Sequence, residues 1–155
     1  MKMRDPISEC AIKMNLYRQK ITLFGVYGVN DDATGNQQED FFEQLHDGTV
    51  EIGNIREIIL MRNLNGRTGI RNGDDDVGKY GEKVVNNNRK RIITICEQNE
   101  MKIMNGFFQH KEIHEYTWKQ ETRQMKFIIH YIIVKRMKIH AFRLHSEFFQ
   151  VPELI

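Results

Sequence analysis

An apolar run that ends abruptly in a polar, glycine-containing segment constrains the fold of this 155-residue chain more than any other feature. Ile58 to Met61 is apolar and of strand length, and residues 62–69 then supply asparagine, arginine, threonine and two glycines. This pattern predicts a buried strand that delivers a polar loop to the edge of a sheet. Because a scaffold strand fixes the positions of loop side chains, Asn63 and Asn65 are candidates for a phosphate-handling site.

Length, charge and cysteine content predict a single intracellular domain, nuclear or cytoplasmic. The net charge of +2, from 23 basic and 21 acidic side chains, indicates neither nucleic acid nor an acidic substrate by itself. Cys10 and Cys96 lie far apart in the sequence, which argues against a disulfide framework or a zinc site. No apolar run approaches the roughly 18 residues of a membrane span, so we expect no membrane partner.

The periodicity of apolar residues predicts an α/β or α+β protein. Segments with β-strand character are residues 11–16 and 20–27, which would form a hairpin, and 55–61, 101–104, 116–118 and 127–134. Helical patterns cover residues 36–45, where Asp47-Gly48 is expected to end or fray the helix, and 88–97. The acidic run Asp74 to Asp76 lacks the ligand spacing of a calcium loop, so we expect it to be solvated.

Four short motifs follow one another in the order and spacing of a known family. They are Gly25-Val26-Tyr27-Gly28-Val29-Asn30, the segment from Ile59 to Gly69, Glu115-Tyr116-Thr117-Trp118, and Ile128-Ile129-His130-Tyr131-Ile132-Ile133. Each motif is weakly specific alone, but the ordered set is specific. On these residues the chain resembles the endonuclease/exonuclease/phosphatase superfamily, in the branch of non-LTR retrotransposon endonucleases and craniofacial development protein 2-like sequences.

The resemblance, which covers roughly residues 12–136, implies both a fold and a chemistry. The implied fold is part of a four-layer sandwich of two mixed sheets flanked by helices, with a domain over residues 1–136 and a diverged tail over 137–155. The implied chemistry is hydrolysis of DNA phosphodiesters, in which Mg²⁺ neutralises phosphate charge while a carboxylate activates water. The catalytic positions are Tyr27, Asn63, Asn65 and His130, and the substrate-binding positions are Asn30, Arg67, Thr117 and Trp118.

Departures from the family pattern predict that catalysis is impaired or absent. The pattern Gly-Asp-x-Asn falls on residues 62–65, but Arg62 and Asn63 replace its glycine and its aspartate. A neutral amide cannot act as a base, and losing a general base costs about 10²–10⁴ in rate. His130 replaces another aspartate, and imidazole is a poor ligand for Mg²⁺. The metal-binding glutamate and the closing Asp-His pair of the family match no residue, so we assign no metal ligand.

Several alternatives remain open at this stage. The chain is interpreted as a degenerate endonuclease, as a non-catalytic nucleic-acid or protein interaction module that reuses the groove, or as a decayed transposon fragment without function. At the level of single residues, Asn63 and Asn65 are also suited to capping a loop, and His130 to a hydrogen-bonded position in a sheet. The pattern predicts no oligomeric state.

Overall fold

The computed structural model describes residues 11–16, 19–53, 55–70, 76–109 and 116–135. These residues form an α+β fold with two helices, a five-stranded mixed sheet and a two-stranded sheet, which confirms the predicted fold class. The larger sheet consists of β1 (Ala11–Leu16), β2 (Gln19–Gly25), β3 (Glu57–Asn63), β4 (Met101–Ile103) and β7 (His130–Lys135). The smaller sheet pairs β5 (Trp118–Gln120) with β6 (Met125–Phe127), and the helices are α1 (Gly35–Gly53) and α2 (Asn88–Gln98).

Strand β3 lies at the centre of the larger sheet, whose order is β1-β2-β3-β7-β4. It pairs in parallel with β2 and antiparallel with β7. The predicted hairpin is confirmed, because β1 and β2 pair antiparallel with Met14 opposite Ile21. This topology brings the carboxyl ends of β2 and β3 and the first residue of β7 to one edge of the sheet.

Both helices pack on one face of the larger sheet, α1 against β3 and α2 against β4. The inward residues alternate with less buried ones along the strands, as expected for a pleated sheet with one covered face. The largest fully buried apolar side chains are Phe24, Ile58, Leu60, Ile92, Met101, Ile103 and Ile133. In the described part of the chain, no helix combines the length and the apolar composition that a membrane crossing requires.

Helix α1 continues through Asp47-Gly48 to Gly53, so the expected end of this helix at Asp47-Gly48 was wrong. A glycine inside a helix costs about 1 kcal/mol, which burial of the following turn offsets. Thr49 is buried in that turn, and its hydroxyl donates to the carbonyl of Leu45 (2.7 Å). Tertiary packing therefore overrides the local stop signal.

The apolar run 127–134 is not one strand, in contrast to the prediction. Phe127 ends β6 in the smaller sheet, whereas β7 begins at His130 in the larger one. The hydroxyl of Thr117 accepts hydrogen bonds from the backbone N–H groups of Ile129 (3.0 Å) and His130 (3.1 Å), which holds the chain as it crosses between the sheets. Strand β5 likewise begins at Trp118, after the predicted start at residue 116.

Of the acidic run, the structure describes Asp76, whereas Asp74 and Asp75 lie outside the described residues. Asp76 is 3% exposed, and its carbonyl accepts a hydrogen bond from the backbone of Ile103 (2.7 Å). The expectation that this residue is solvated was therefore wrong.

Cys10 and the predicted tail, residues 137–155, also lie outside the described residues, whereas Cys96 is buried in the core.

Arg62 has a backbone conformation that favours glycine. Its φ angle is 104°, although the residue lies within β3. Side chains with a Cβ atom are strained in this region, at a cost of about 1 to 3 kcal/mol. This is the position at which the resemblance implies a glycine.

Arg62→Gly is expected to stabilise the protein by about 1 kcal/mol, because it relieves this strain. The midpoint of urea unfolding, followed by circular dichroism, measures the change. Lys20→Gly is the matched control, since Lys20 is exposed on β2 and has no positive φ. It should destabilise the protein by roughly 0.5 to 1 kcal/mol, and equal losses in both variants would contradict the assignment of strain to Arg62.

Candidate functional site

The candidate site is an open cleft at the edge of the sheet where β2 and β3 end and β7 begins. Backbone pairing continues past the strands, with Val26 N–H donating to the Met61 carbonyl (3.0 Å) and Gly28 N–H to the Asn63 carbonyl (2.7 Å). The cleft has a volume of about 840 Å³. It is lined by Tyr27, Asn30, Asp31, Asp32, Asn63, Asn65, Arg67, Asn86, Asn87, Trp118, Phe127, Ile129 and His130.

Seven of the eight predicted site residues line this one cleft, although they come from separate parts of the sequence. Thr117 is the exception, because its hydroxyl accepts the two backbone hydrogen bonds that hold the start of β7. Thr117 therefore positions neighbouring residues. The roles in catalysis and substrate binding stay predictions, but the convergence of the side chains is a property of the fold.

Asn65 lies at the centre of a hydrogen-bond network on the cleft floor. Its φ angle of 46° is left-handed, a conformation that asparagine tolerates better than most residues. Its side-chain Nδ2 donates to the carbonyl of Gly28 (2.8 Å) and to Oδ1 of Asn30 (3.2 Å). Its backbone N–H donates to Oδ1 of Asn63 (2.7 Å), which closes an Asx-type turn. Both asparagines therefore have the loop-capping contacts that formed the alternative interpretation.

Helix α2 begins at the cleft, where a carboxylate from the loop after β2 caps it. Oδ1 of Asp31 accepts hydrogen bonds from the backbone N–H groups of Asn87 (2.9 Å) and Asn88 (3.3 Å). A negative charge at a helix N-terminus is stabilising because it offsets the partial positive charge of the N–H groups. The side chains of Asn86 and Asn88 in turn donate to the Asn65 carbonyl (2.9 and 3.1 Å).

An aromatic stack forms one wall of the cleft. The rings of Trp118 and Phe127 face each other across β5 and β6, with centroids 5.2 Å apart and planes 2° from parallel. The guanidinium of Arg67 lies over the Phe127 ring, 4.1 Å from its centroid. Arg67 also forms an ion pair with Glu82, with Nε 2.7 Å from Oε1, so its charge is partly compensated.

His130 and Asn63 face each other across the β3–β7 pair at the cleft floor. His130 is exposed, and its backbone carbonyl accepts a hydrogen bond from Asn105 Nδ2 (3.1 Å). Asn63 is 8% exposed. Tyr27 is 71% exposed at the rim, so its ring is available to a ligand.

The donor set around Asn63 does not fit Mg²⁺, which the family resemblance implies. Mg²⁺ prefers anionic oxygen ligands, whereas Asn63 and His130 contribute an amide and an imidazole. The carboxylates of the cleft belong to Asp31 and Asp32, and Asp31 is engaged with helix α2. Within the described ranges, no group of three or more histidine, cysteine, aspartate or glutamate side chains is placed so that it could hold a metal ion.

Several residues of the site were not among the predicted site residues. Six of them line the cleft, namely Asp31, Asp32, Asn86, Asn87, Phe127 and Ile129, and Glu82 forms the ion pair with Arg67. Asp31 lies in the loop after β2, directly after Asn30, and this placement was a usable signal. Phe127 was assigned to the wrong strand, which hid its position opposite Trp118. Glu82 and Asn86 carry no local signal, because the fold brings them to Arg67 across a long loop.

Beneath the loop that follows β3, Tyr131 connects the sheet to Thr68. Its hydroxyl donates to the carbonyl of Ile128 (2.7 Å) and accepts from the backbone N–H of Thr68 (3.3 Å). Burial raises the pKa of Tyr131 to about 12, since a phenolate is poorly solvated there. The neutral phenol therefore contributes stability that is complete below pH 10 and is lost as the pH rises towards 12.

Tyr131→Phe is expected to remove this part of the alkaline destabilisation. At pH 11, midway between the unfolded and folded pKa values, ionisation of Tyr131 in the unfolded state lowers the free energy of unfolding by about 1.4 kcal/mol. Urea unfolding at pH 8 and pH 11 measures the free energy of unfolding of both proteins. The difference between the two proteins cancels the contribution of other groups that ionise in this pH range. An identical pH dependence in both proteins would contradict the raised pKa.

No protein-family model matches this chain, and no curated protein matches it. Membership of the endonuclease/exonuclease/phosphatase superfamily therefore stays a prediction from the ordered motifs.

Proposed function

We propose that this chain is a nucleic-acid-binding domain of the retrotransposon endonuclease type, which holds DNA in the cleft and cleaves it poorly or not at all. The observation that carries the proposal is the convergence of Tyr27, Asn30, Asn65, Arg67 and Trp118 on one cleft. Such a domain would act in the nucleus or the cytoplasm.

Binding would combine amide and cation contacts to the phosphates with stacking on the aromatic wall. The amide N–H groups of Asn30 are suited to phosphate oxygens, Asn65 holds that amide through a hydrogen bond to its Oδ1, and Arg67 supplies a cation. The partial compensation of Arg67 by Glu82, together with the acidic side chains of Asp31 and Asp32, weakens the positive potential. We therefore expect an affinity in the non-specific range, with a dissociation constant of about 10⁻⁴–10⁻⁶ M.

Poor cleavage follows from the chemistry of the cleft floor. Asn63 cannot accept a proton from water, and the described residues there do not supply the oxygen ligands that Mg²⁺ prefers. His130 is exposed, and in the described part of the chain its hydrogen bonds involve its backbone N–H and carbonyl. Restoring Asn63→Asp together with His130→Asp should rescue little, because the metal-binding glutamate and the closing Asp-His pair of the family have no counterpart.

Two measurements on the full chain test the two halves of this proposal. Fluorescence anisotropy with a labelled duplex at 25 to 200 mM salt, a range of about one decade, measures binding. The expected result is binding at low salt that weakens steeply as salt rises. Conversion of supercoiled plasmid to the nicked form, with Mg²⁺ or Mn²⁺, measures cleavage, and the expected result is none.

The outcomes separate the alternatives. Nicking that disappears in Asn65→Ala would show an active enzyme and overturn the poor-cleavage half. No binding at low salt would overturn the DNA-binding half and favour a protein partner. No binding together with a poorly cooperative thermal unfolding would favour a decayed fragment.

A further inference from the structure

The side-chain amides on the cleft floor have fixed orientations, because backbone groups determine which end of each amide is engaged. The backbone N–H of Asn65 is a donor, so the Asn63 atom that it meets at 2.7 Å is the acceptor Oδ1. The carbonyl of Gly28 is an acceptor, so the Asn65 atom that it meets at 2.8 Å is the donor Nδ2. The same Nδ2 meets Asn30 at 3.2 Å, which makes that Asn30 atom Oδ1. The side-chain oxygens of Asn63 and Asn30 are therefore both occupied by Asn65.

The amide nitrogens of Asn63 and Asn30 are left for a ligand. In the described part of the chain, neither Nδ2 atom donates to a protein acceptor, and both residues line the cleft. Asn30 is exposed, whereas Asn63 is 8% exposed. Among the described residues, the unpartnered side-chain atom that burial seals from solvent is Oδ1 of Asn88, so Nδ2 of Asn63 is open to the cleft.

Arg67 supplies a further donor in a fixed orientation. Its Nε and Nη2 lie 2.7 and 3.4 Å from the two carboxylate oxygens of Glu82, and its guanidinium lies over the Phe127 ring. Within the described residues, its Nη1 is the guanidinium nitrogen without an acceptor. Because Glu82 and Phe127 already hold the planar group, a ligand that binds Nη1 restricts it little further.

This arrangement favours an anion over a metal cation on the cleft floor. A hard cation needs oxygen ligands, but the side-chain oxygens of Asn63 and Asn30 are occupied. The carboxylates of the cleft lining belong to Asp31, which caps helix α2, and to Asp32, which is exposed. The helix terminus offsets the first of these charges, and solvent ions screen the second.

We propose that the cleft floor binds a phosphate group directly, through Nδ2 of Asn63, Nδ2 of Asn30 and the guanidinium of Arg67, and that no divalent cation takes part. Under the proposed function, on which this inference rests, the phosphate belongs to a nucleic-acid backbone. A phosphodiester presents acceptor oxygens and a negative charge, which N–H donors bind with charge-assisted hydrogen bonds. Asn63 then has two roles, since its oxygen closes the turn and its N–H groups bind the ligand.

Dimethyl phosphate, a small phosphodiester, tests the site without DNA. In NMR spectra of the isotopically labelled full chain in EDTA, the side-chain NH₂ signals of Asn63 and Asn30 should shift together and saturate. The signal of Asn36 should not shift, because Asn36 is exposed at the start of α1 and outside the cleft lining. Signals of Asn63 and Asn30 that do not move would overturn the inference, whether or not DNA binds.

Anisotropy with the labelled duplex, in EDTA and then in Mg²⁺ at constant low ionic strength, tests the independence from metal. The affinity in EDTA should equal or exceed that in Mg²⁺, because Mg²⁺ competes with the protein for the phosphates. Tighter binding in Mg²⁺ would overturn the inference but leave DNA binding intact. Binding of dimethyl phosphate without binding of the duplex would support the phosphate site and overturn the proposed function alone.

Asn63→Asp reverses the chemistry of the floor while keeping the turn, since a carboxylate oxygen also accepts from the Asn65 N–H. In EDTA its affinity for the duplex should fall about 10- to 100-fold, because a hydrogen bond to a charged group is replaced by repulsion. Asn36→Asp makes the same charge change outside the cleft and should stay within about twofold of the parent. Equal affinity of Asn63→Asp and the parent would overturn the inference. If circular dichroism shows that Asn63→Asp is unfolded, the NMR titration of the unmodified chain still decides.

Discussion

Replacing Gly28 by alanine is expected to destabilise the protein by about 3 kcal/mol, because the new Cβ atom would meet the backbone of the neighbouring loop. An ideal Cβ at Gly28 would lie 2.6 Å from the carbonyl oxygen of Leu64 and 2.7 Å from its carbon. Backbone atoms cannot rotate away, so the loops after β2 and β3 must separate. Separation would break the Gly28–Asn63 backbone hydrogen bond and move the Gly28 carbonyl away from Asn65.

Urea unfolding of Gly28→Ala gives the change in stability, and anisotropy with the labelled duplex gives the change in affinity. Stability and affinity should both decrease, because the close approach of Gly28 to Leu64 holds together the two loops that form the cleft floor. Gly35→Ala is the matched control, since a Cβ at Gly35 meets nothing within 4 Å and lies at the start of α1. The control should be neutral or slightly stabilising. A Gly28→Ala protein as stable as this control would contradict the close approach of the two loops.

Trp118→Ala is expected to weaken DNA binding by about 10- to 100-fold, because stacking of a base on an aromatic side chain contributes about 1 to 3 kcal/mol. Stability should fall by only about 1 kcal/mol, since the Trp118–Phe127 contact lies in the separate two-stranded sheet. The effect on binding should therefore exceed the effect on folding. This prediction rests on the proposed function.

The chain contains a single tryptophan, so its intrinsic fluorescence reports directly on this wall of the cleft. Titration of the unmodified protein with duplex or single-stranded DNA should quench that fluorescence at the concentrations where anisotropy shows binding. Trp118→Phe retains an aromatic face and should keep most of the affinity. Binding that is unchanged in Trp118→Ala, with no quenching in the parent, would place the ligand elsewhere.

Short periodic segments predicted much of the fold correctly. Alternating residues indicated the β1–β2 hairpin, and the apolar face of residues 88–97 indicated helix α2. The run Ile58 to Met61 indicated the central strand, because a strand buried between two neighbours carries few polar residues. These features depend on residues that are neighbours in the sequence, so they could be predicted from a single sequence.

The remaining features depend on distant residues. The sequence around Gly48 does not indicate that Leu45 and Thr49 are buried. This burial stabilises α1 beyond its local stop signal. Phe127 and His130 belong to one apolar run but lie in different sheets, and the hydroxyl of Thr117, which is distant in the sequence, holds the backbone between the two sheets. The contacts of the site show the same limit, because Asp31 reaches helix α2 and Glu82 reaches Arg67 only in the folded chain.

Asn65 has a structural role that is independent of catalysis. Its side chain bridges the loops after β2 and β3, and its carbonyl holds the start of α2 through two further asparagines. Folding alone favours such a residue, whereas position 63 needs only an oxygen acceptor, which an amide supplies as well as a carboxylate. Substitutions in a lineage that has lost activity should therefore accumulate at positions like 63 before positions like 65. The architecture alone accounts for an asparagine at position 65, so its presence is no evidence of activity.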